Sequence, residues 1–110
     1  MTIHLLKIDS DRLKEVAQNI KQYELRRYDR DYKVGDILEL NETKYSACEV
    51  AYGSPLIYTG ISIYRKIVHV LQGPTHGLMA DWVILSLAQL TQTEKSEIQL
   101  IGDHHASNPA

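Results

Sequence analysis

The sequence predicts one small α+β domain, mainly β, with about five to six strands in a strongly bent sheet or barrel and one N-terminal flanking helix. The length of 110 residues suits a single domain with one core. One segment has convincing helical periodicity, whereas several others are rich in β-branched and aromatic residues. The later strands follow one another too closely for βαβ crossovers.

The N-terminal part contains the first predicted strand, residues 3–8, and the predicted helix. Asp9, Ser10 and Asp11 offer capping oxygens and favourable charge for a helix N-terminus. The periodicity predicts that this helix ends near Lys21 or Gln22. Apolar residues at positions i, i+3, i+4 and i+7 form its buried face: Leu13, Val16, Ala17 and Ile20.

From Tyr23 onwards the pattern alternates, which predicts a short strand. We expect Tyr23 and Leu25 on its buried side, with Glu24 and Arg26 on the opposite side. A polar loop over residues 27–33 and a turn at residues 34–36 then lead into the next strand.

The remaining segments predict further strands separated by loops. Residues 41–55 have weak periodicity and are expected to form a variable loop, with room for a short helical turn. Thr59 and Gly60 are expected to kink the longest strand or to split it. The predicted strands are residues 37–40, 56–71 and 82–87.

We expect a single domain over residues 1–90 and a polar, partly disordered tail over residues 91–110. Residues 94–101 form a candidate short helix, and residues 104–110 are expected to be disordered. The N-terminus lacks a basic region and a long apolar run, so we expect a soluble, cytoplasmic protein with no membrane partner. We also expect a monomer or weak dimer. Cys48, the single cysteine, is expected to be a small apolar filler in or beside a strand.

The most unusual stretch is NIKQYELRRYDRDYKVGD, residues 19–36, which interleaves basic, acidic and tyrosine residues. The net charge of −2 means that any anion binding must come from such a local patch. Lys21, Glu24 and Arg26 are expected to converge near a helix-to-strand corner, where a Lys and an Arg can bind phosphate. The alternative is a solvated strand face with weak ion pairs. Of Arg65 and Lys66 in the longest strand, one must point inward or lie at a rim.

The pattern NxKxxExR, residues 19–26, resembles the GxKxxExR motif of ASCH domains, a branch of the PUA-like superfamily. The resemblance continues over residues 4–87, through YDR at 28–30, YKVGDILEL, YTG at 58–60 and GLMADWVILSL. Together these segments resemble a small ASCH-like family of unknown function that is frequent in phages and bacteria. The resemblance implies a small PUA-like β-barrel. Asn19 replaces the motif glycine, and asparagine is the residue that best tolerates the same positive φ.

The resemblance also implies a cleft that binds RNA, a nucleotide or a modified nucleoside, without a cofactor. Lys21 and Arg26 would contact phosphate or carbonyl oxygens, and Glu24 would orient them or bind a base edge. The five histidines are scattered, so no metal site is expected. The implied ligand-binding residues are Lys21, Glu24, Arg26, Tyr28, Arg30 and Tyr58, with Tyr28 or Tyr58 stacking on a base.

Two other functions remain open. Some small ASCH members are amidohydrolases that deacetylate N4-acetylcytidine, and Lys21 matches their motif lysine. Their threonine position is Glu24 here, which removes the expected nucleophile and leaves Lys21 and Glu24 as the catalytic pair of any enzyme. The second alternative is a phage-type protein-interaction or inhibitor module with a host protein as its partner.

Overall fold

The computed structural model describes residues 2–102, the last three of them by backbone alone. The segment expected to be disordered, residues 104–110, therefore lies outside the described residues. In chain order the elements are β1 (Ile3–Asp9), α1 (Ser10–Ala17), β2 (Tyr23–Arg27), β3 (Ile37–Thr43), α2 (Ala47–Ala51), β4 (Tyr58–Gln72), β5 (Trp82–Ala88) and α3 (Gln92–Gly102).

The strands form one five-stranded sheet in the order β1-β3-β4-β5-β2, and it curls into a half-barrel. The β1–β3 pair is parallel, and the other three pairs are antiparallel. The long strand β4 pairs with β3 through its first half and with β5 through its second half. Because its two partners are offset along β4, the strands of the sheet are staggered and the sheet curves. The predicted class, α+β and mainly β, is confirmed.

The two edge strands of the sheet approach each other across the open side of the half-barrel. Arg26 of β2 donates from Nη2 to the backbone oxygen of Lys7 in β1, at 2.7 Å. Arg30 donates from Nη1 to the backbone oxygen of Leu5, at a longer 3.5 Å. These guanidinium groups therefore bond with the free edge of β1, which would otherwise expose unpaired carbonyls.

The core has an interior part and a smaller outer part. Leu13 and Val16 place the apolar face of α1 against the interior cluster. On the outer face of the sheet, α3 buries Ile98 against Ile37 and Leu90. The buried interior residues are Leu6, Ile8, Leu13, Val16, Tyr32, Leu38, Leu40, Ile67, Val83, Leu85 and Leu87.

Helix α1 ends at Ala17, earlier than its periodicity predicts. Asn19 adopts a left-handed φ of 59°. The N–H of Ile20 donates to the carbonyl of Glu15 at 2.9 Å, and that of Asn19 donates to Val16 at 3.0 Å. This pair of bonds is a Schellman motif, which terminates the helix. Ile20 therefore falls outside the helix and is 71% exposed, so its predicted place on the buried face is wrong.

The predicted facing of β2 is also wrong. Tyr23 and Leu25 are about half exposed, whereas Glu24 is only 3% exposed. Glu24 lies opposite the fully buried Leu85 of β5, so both face the interior. Alternation shows that a strand has two faces and does not show which one is inside.

Smaller differences concern the middle of the chain. Strand β3 continues to Thr43 and α2 follows it within the predicted loop. Cys48 lies on α2 and is exposed, so its predicted place as an apolar filler is wrong. Strand β4 is not split at Gly60, although that glycine has a φ of 91°. The described chain has two helices beyond the one with convincing periodicity, and none of the three combines the length and apolar character needed to cross a bilayer.

Candidate ligand-binding cleft

A cleft of about 400 Å³ opens at the corner between α1 and β2. The corner itself, the middle of β4 and the end of β5 supply its walls. The lining residues are Asn19, Lys21, Gln22, Arg65, Leu87, Ala88 and Gln89. Two cations, three side-chain amides and two small apolar surfaces thus meet in one depression.

Lys21, Glu24 and Arg26 come together, as the motif spacing predicts. Lys21 Nζ donates to Glu24 Oε1 at 2.7 Å, and Arg26 Nε donates to Glu24 Oε2 at 3.0 Å. Both oxygens of the buried carboxylate therefore accept a charge-assisted hydrogen bond. Only Lys21 of the three lines the cleft. Glu24 lies behind it, and Arg26 is directed towards β1.

Arg65 is the second cation of the cleft. Its guanidinium is half-buried and donates to the carbonyls of Tyr64, at 2.8 Å, and of Val16, at 3.2 Å. Val16 lies in the last turn of α1, where the helix dipole favours a cation. Among the side chains that the structure describes, no carboxylate forms an ion pair with Arg65. Burial lowers the pKa of Arg65, because a desolvated guanidinium without a counter-charge is destabilised.

The other residues implied by the resemblance do not line the cleft. Tyr28 packs against the interior cluster, with its ring 6.4 Å from that of Tyr32. Arg30 lies 3.5 Å from the carboxylate of Asp29 and reaches towards β1. Tyr58 begins β4, roughly 20 Å along the strand from Arg65 at the usual rise per residue. The proposed stacking residues are thus outside the depression that contains Lys21.

A family model described as "Domain of unknown function (DUF3850)" matches residues 3–87. The chain belongs to this family. The matched region of the DUF3850 domain runs from the first residue of β1 almost to the end of β5, and it includes Lys21, Glu24, Arg26 and Arg65. Helix α3 lies outside it. A search of curated proteins found no match.

Sequence reasoning left open whether Arg65 or Lys66 of the DUF3850 domain points inward or lies at a rim, and it missed four other residues of the cleft. Gln22 and Gln89 flank strands, in positions where a polar residue is unremarkable. Leu87 and Ala88 end β5, where the apolar sequence predicts only a strand. No local signal marks these positions, because they become neighbours only when β5 pairs with β4 and β2.

A buried His4–Asp36 pair also escaped sequence reasoning. His4 Nε2 and Asp36 Oδ2 are hydrogen-bonded at 2.9 Å, and the His4 ring lies 4.8 Å from that of Tyr32. Burial acts to raise the pKa of Asp36, but hydrogen bonds from His4, Thr2 and Lys33 outweigh it, so the pKa lies below its ordinary 3.8. The pair ties β1 to the turn before β3 and lies away from the cleft walls.

The His, Cys, Asp and Glu side chains of residues 2–99 are dispersed. Within that part of the chain, no three His, Cys, Asp or Glu side chains lie close enough together to hold a metal ion.

Proposed function

We propose that this DUF3850 domain is an ASCH-like, PUA-like module that binds RNA, a nucleotide or a modified nucleoside in the cleft at the α1–β2 corner. The half-buried Arg65, with carbonyl partners but no carboxylate among the described side chains, carries the proposal. A desolvated cation is costly unless an anion accompanies it. Lys21 lines the same cleft, so a bound phosphate would meet two cations.

The rest of the cleft suits a nucleobase. Side-chain amides at Asn19, Gln22 and Gln89 can both donate and accept, as base edges require. Leu87 and Ala88 provide apolar surface against which a base can lie. The volume of about 400 Å³ falls within the range of small-molecule pockets, roughly 300–1,000 Å³.

In this proposal Arg65 and the three residues of the charged motif have different roles. Lys21 and Arg65 contact the anion, whereas Glu24 holds the Lys21 ammonium in place from behind. Arg26 neutralises the other oxygen of Glu24 and bonds with the edge of β1, so it acts through the fold instead of touching the ligand.

The geometry supports binding better than hydrolysis of an acylated nucleoside. A general base must have an oxygen or nitrogen directed at the proton that it removes. Both Glu24 oxygens already accept from cations, and Glu24 is not part of the cleft wall.

The proposal is tested by isothermal titration calorimetry against nucleosides, mononucleotides, N4-acetylcytidine, and short RNA and DNA oligonucleotides. We expect phosphate-bearing ligands to bind and their affinity to fall as salt increases. Arg65→Gln should weaken binding by about ten-fold or more, because a hydrogen bond to a charged group contributes about 1.5 kcal/mol or more. Gln89→Ala should weaken it by about five-fold, because a neutral hydrogen bond contributes about 1 kcal/mol. Arg12→Gln is the matched control, since the Arg12 side chain is 64% exposed and lies outside the cleft.

Binding that is unaffected by Gln89→Ala and Arg65→Gln would overturn the placement of the site. No binding across the whole panel would overturn the function and favour the protein-interaction alternative. Release of acetate from N4-acetylcytidine that is lost in Glu24→Gln, with the fold retained, would show that the chain is an enzyme.

A further inference from the structure

A second and larger cavity, of about 650 Å³, lies beneath α3 and adjoins the cleft. Arg65 and Gln89 are part of both walls, so the two depressions meet at these residues. The far wall of the cavity contains Tyr64 of β4 together with Lys95 and Ile98 of α3. Arg65 thus lies at the junction of the two spaces.

Helix α3 creates this cavity. Ile98 is buried against the outer face of the sheet, and Glu94 pairs with Lys66 of β4 at 3.0 Å. A hydrogen bond from the backbone N–H of Thr91 and another from the Lys66 side chain lower the pKa of Glu94. The helix follows the family-matched residues 3–87, so the α3 wall of the cavity lies outside the matched region.

We infer that the cavity beneath α3 is a second subsite and that the ligand is a single-stranded dinucleotide segment. One base occupies the cleft, the linking phosphate is bound by Lys21 and Arg65, and the second base lies beside Tyr64 in the cavity beneath α3. This inference rests on the proposed function and names the length of its ligand.

The chemistry of Arg65 suits the linking position. A guanidinium has five N–H donors in a planar fork that matches phosphate. Two hydrogen bonds, to the carbonyls of Tyr64 and Val16, hold the group in place and leave donors for an anion. A phosphate at the junction would also supply the counter-charge that Arg65 lacks among the described side chains.

The walls of the cavity offer both apolar and amide surfaces to a base. Leu90 and Ile98 are apolar, whereas Gln89 and Gln99 offer amide groups, a mixture that matches the apolar faces and polar edges of a base. The Tyr64 hydroxyl donates to Glu39 at 2.8 Å, which fixes the ring that would pack against the base.

The test compares binding of uridine monophosphate, UpU and UpUpU, and the same series of adenosine ligands, by isothermal titration calorimetry. We expect the dinucleotides to bind at least ten-fold more tightly than the mononucleotides, with little further gain from a third nucleotide. Lys95→Glu and Gln99→Ala should remove that gain, and Gln99→Ala should leave mononucleotide binding unchanged. Tyr64→Leu should do the same, provided that its melting temperature shows a retained fold.

Lys33→Ala is the control, because the Lys33 side chain is 70% exposed on another loop. Equal affinities for mononucleotides and dinucleotides, or a dinucleotide gain that survives Lys95→Glu and Gln99→Ala, would overturn the second subsite alone. Absence of binding by every ligand would overturn the proposed function together with it.

Discussion

Replacing Arg26 with alanine tests the view that this residue supports the fold and does not belong to a solvated strand face. The change removes one of the two cations that bond with the buried carboxylate of Glu24. It also removes the hydrogen bond between Arg26 and the backbone of Lys7, which joins the two edges of the half-barrel. A solvated face would predict a loss of only fractions of a kcal/mol.

The structure predicts a much larger effect. Arg26 makes two charge-assisted hydrogen bonds, at 3.0 Å to Glu24 and 2.7 Å to Lys7. At about 1.5 kcal/mol each, the lower end of the range for bonds to charged groups, the loss is about 3 kcal/mol. The lower end applies because the Arg26 side chain is 22% exposed, while that of Glu24 is only 4% exposed. For a domain of this size the melting temperature should fall by roughly 12 °C or more.

The assay is urea unfolding followed by circular dichroism, with the free energy of unfolding extrapolated to water. Arg27→Ala is the matched control, because Arg27 is the next residue of β2, is exposed and contacts the Trp82 ring from 5.5 Å. We expect that variant to lose about 1 kcal/mol or less. A loss below about 1 kcal/mol in Arg26→Ala would refute the structural role assigned to the residue.

Three further predictions concern other parts of the fold. Ile20→Ala should change the free energy of unfolding by less than about 0.5 kcal/mol and Val16→Ala by about 2 kcal/mol, because Ile20 is 71% exposed and Val16 is 1% exposed. Because the pKa of Asp36 is depressed in the folded state, its contribution to stability is present above its unfolded pKa and is lost as the pH falls through the folded one. Urea unfolding between about pH 5 and pH 3 should therefore show a smaller acid-induced loss in Asp36→Asn than in the native chain. Burial and the hydrogen bond to Glu39 raise the pKa of Tyr64 to about 12, so ultraviolet titration should show a late ionisation step that Tyr64→Phe removes.

Each of these expectations has a contrary outcome. Equal losses in Ile20→Ala and Val16→Ala would mean that α1 extends past Ala17. If the free energy of unfolding falls equally at low pH in Asp36→Asn and in the native chain, the His4–Asp36 pair does not stabilise the folded state. An unchanged titration curve in Tyr64→Phe would place the late step on another tyrosine.

The order of the first elements and the chemistry of the charged motif were predictable from local signals. Capping residues at 9–11 and apolar spacing define the start and inner face of α1. The spacing of Lys21, Glu24 and Arg26 was enough to predict that the three side chains meet, because neighbours along a short strand and the preceding corner have little freedom to separate.

The sequence contains a signal for the end of α1, but the apolar periodicity of the helix does not show it. Asparagine tolerates the left-handed conformation that the motif position requires, and Asn19 adopts it. The same asparagine, two residues past the helix, is the residue that completes the Schellman motif. Apolar periodicity through Ile20 concealed this signal, because an apolar side chain can also lie on the surface.

By itself, the sequence determined the mainly β composition, the single amphipathic helix of the N-terminal part and the convergence of three charged groups. Only the tertiary structure decided that Glu24 faces inward, since a strand pattern has no intrinsic inside until its neighbours are known. The pairing of β4 with both β3 and β5 placed Arg65 beside Lys21, from opposite halves of the chain. The packing of α3 then formed the second cavity, because the apolar side chain of Ile98 is buried on the outer face of the sheet.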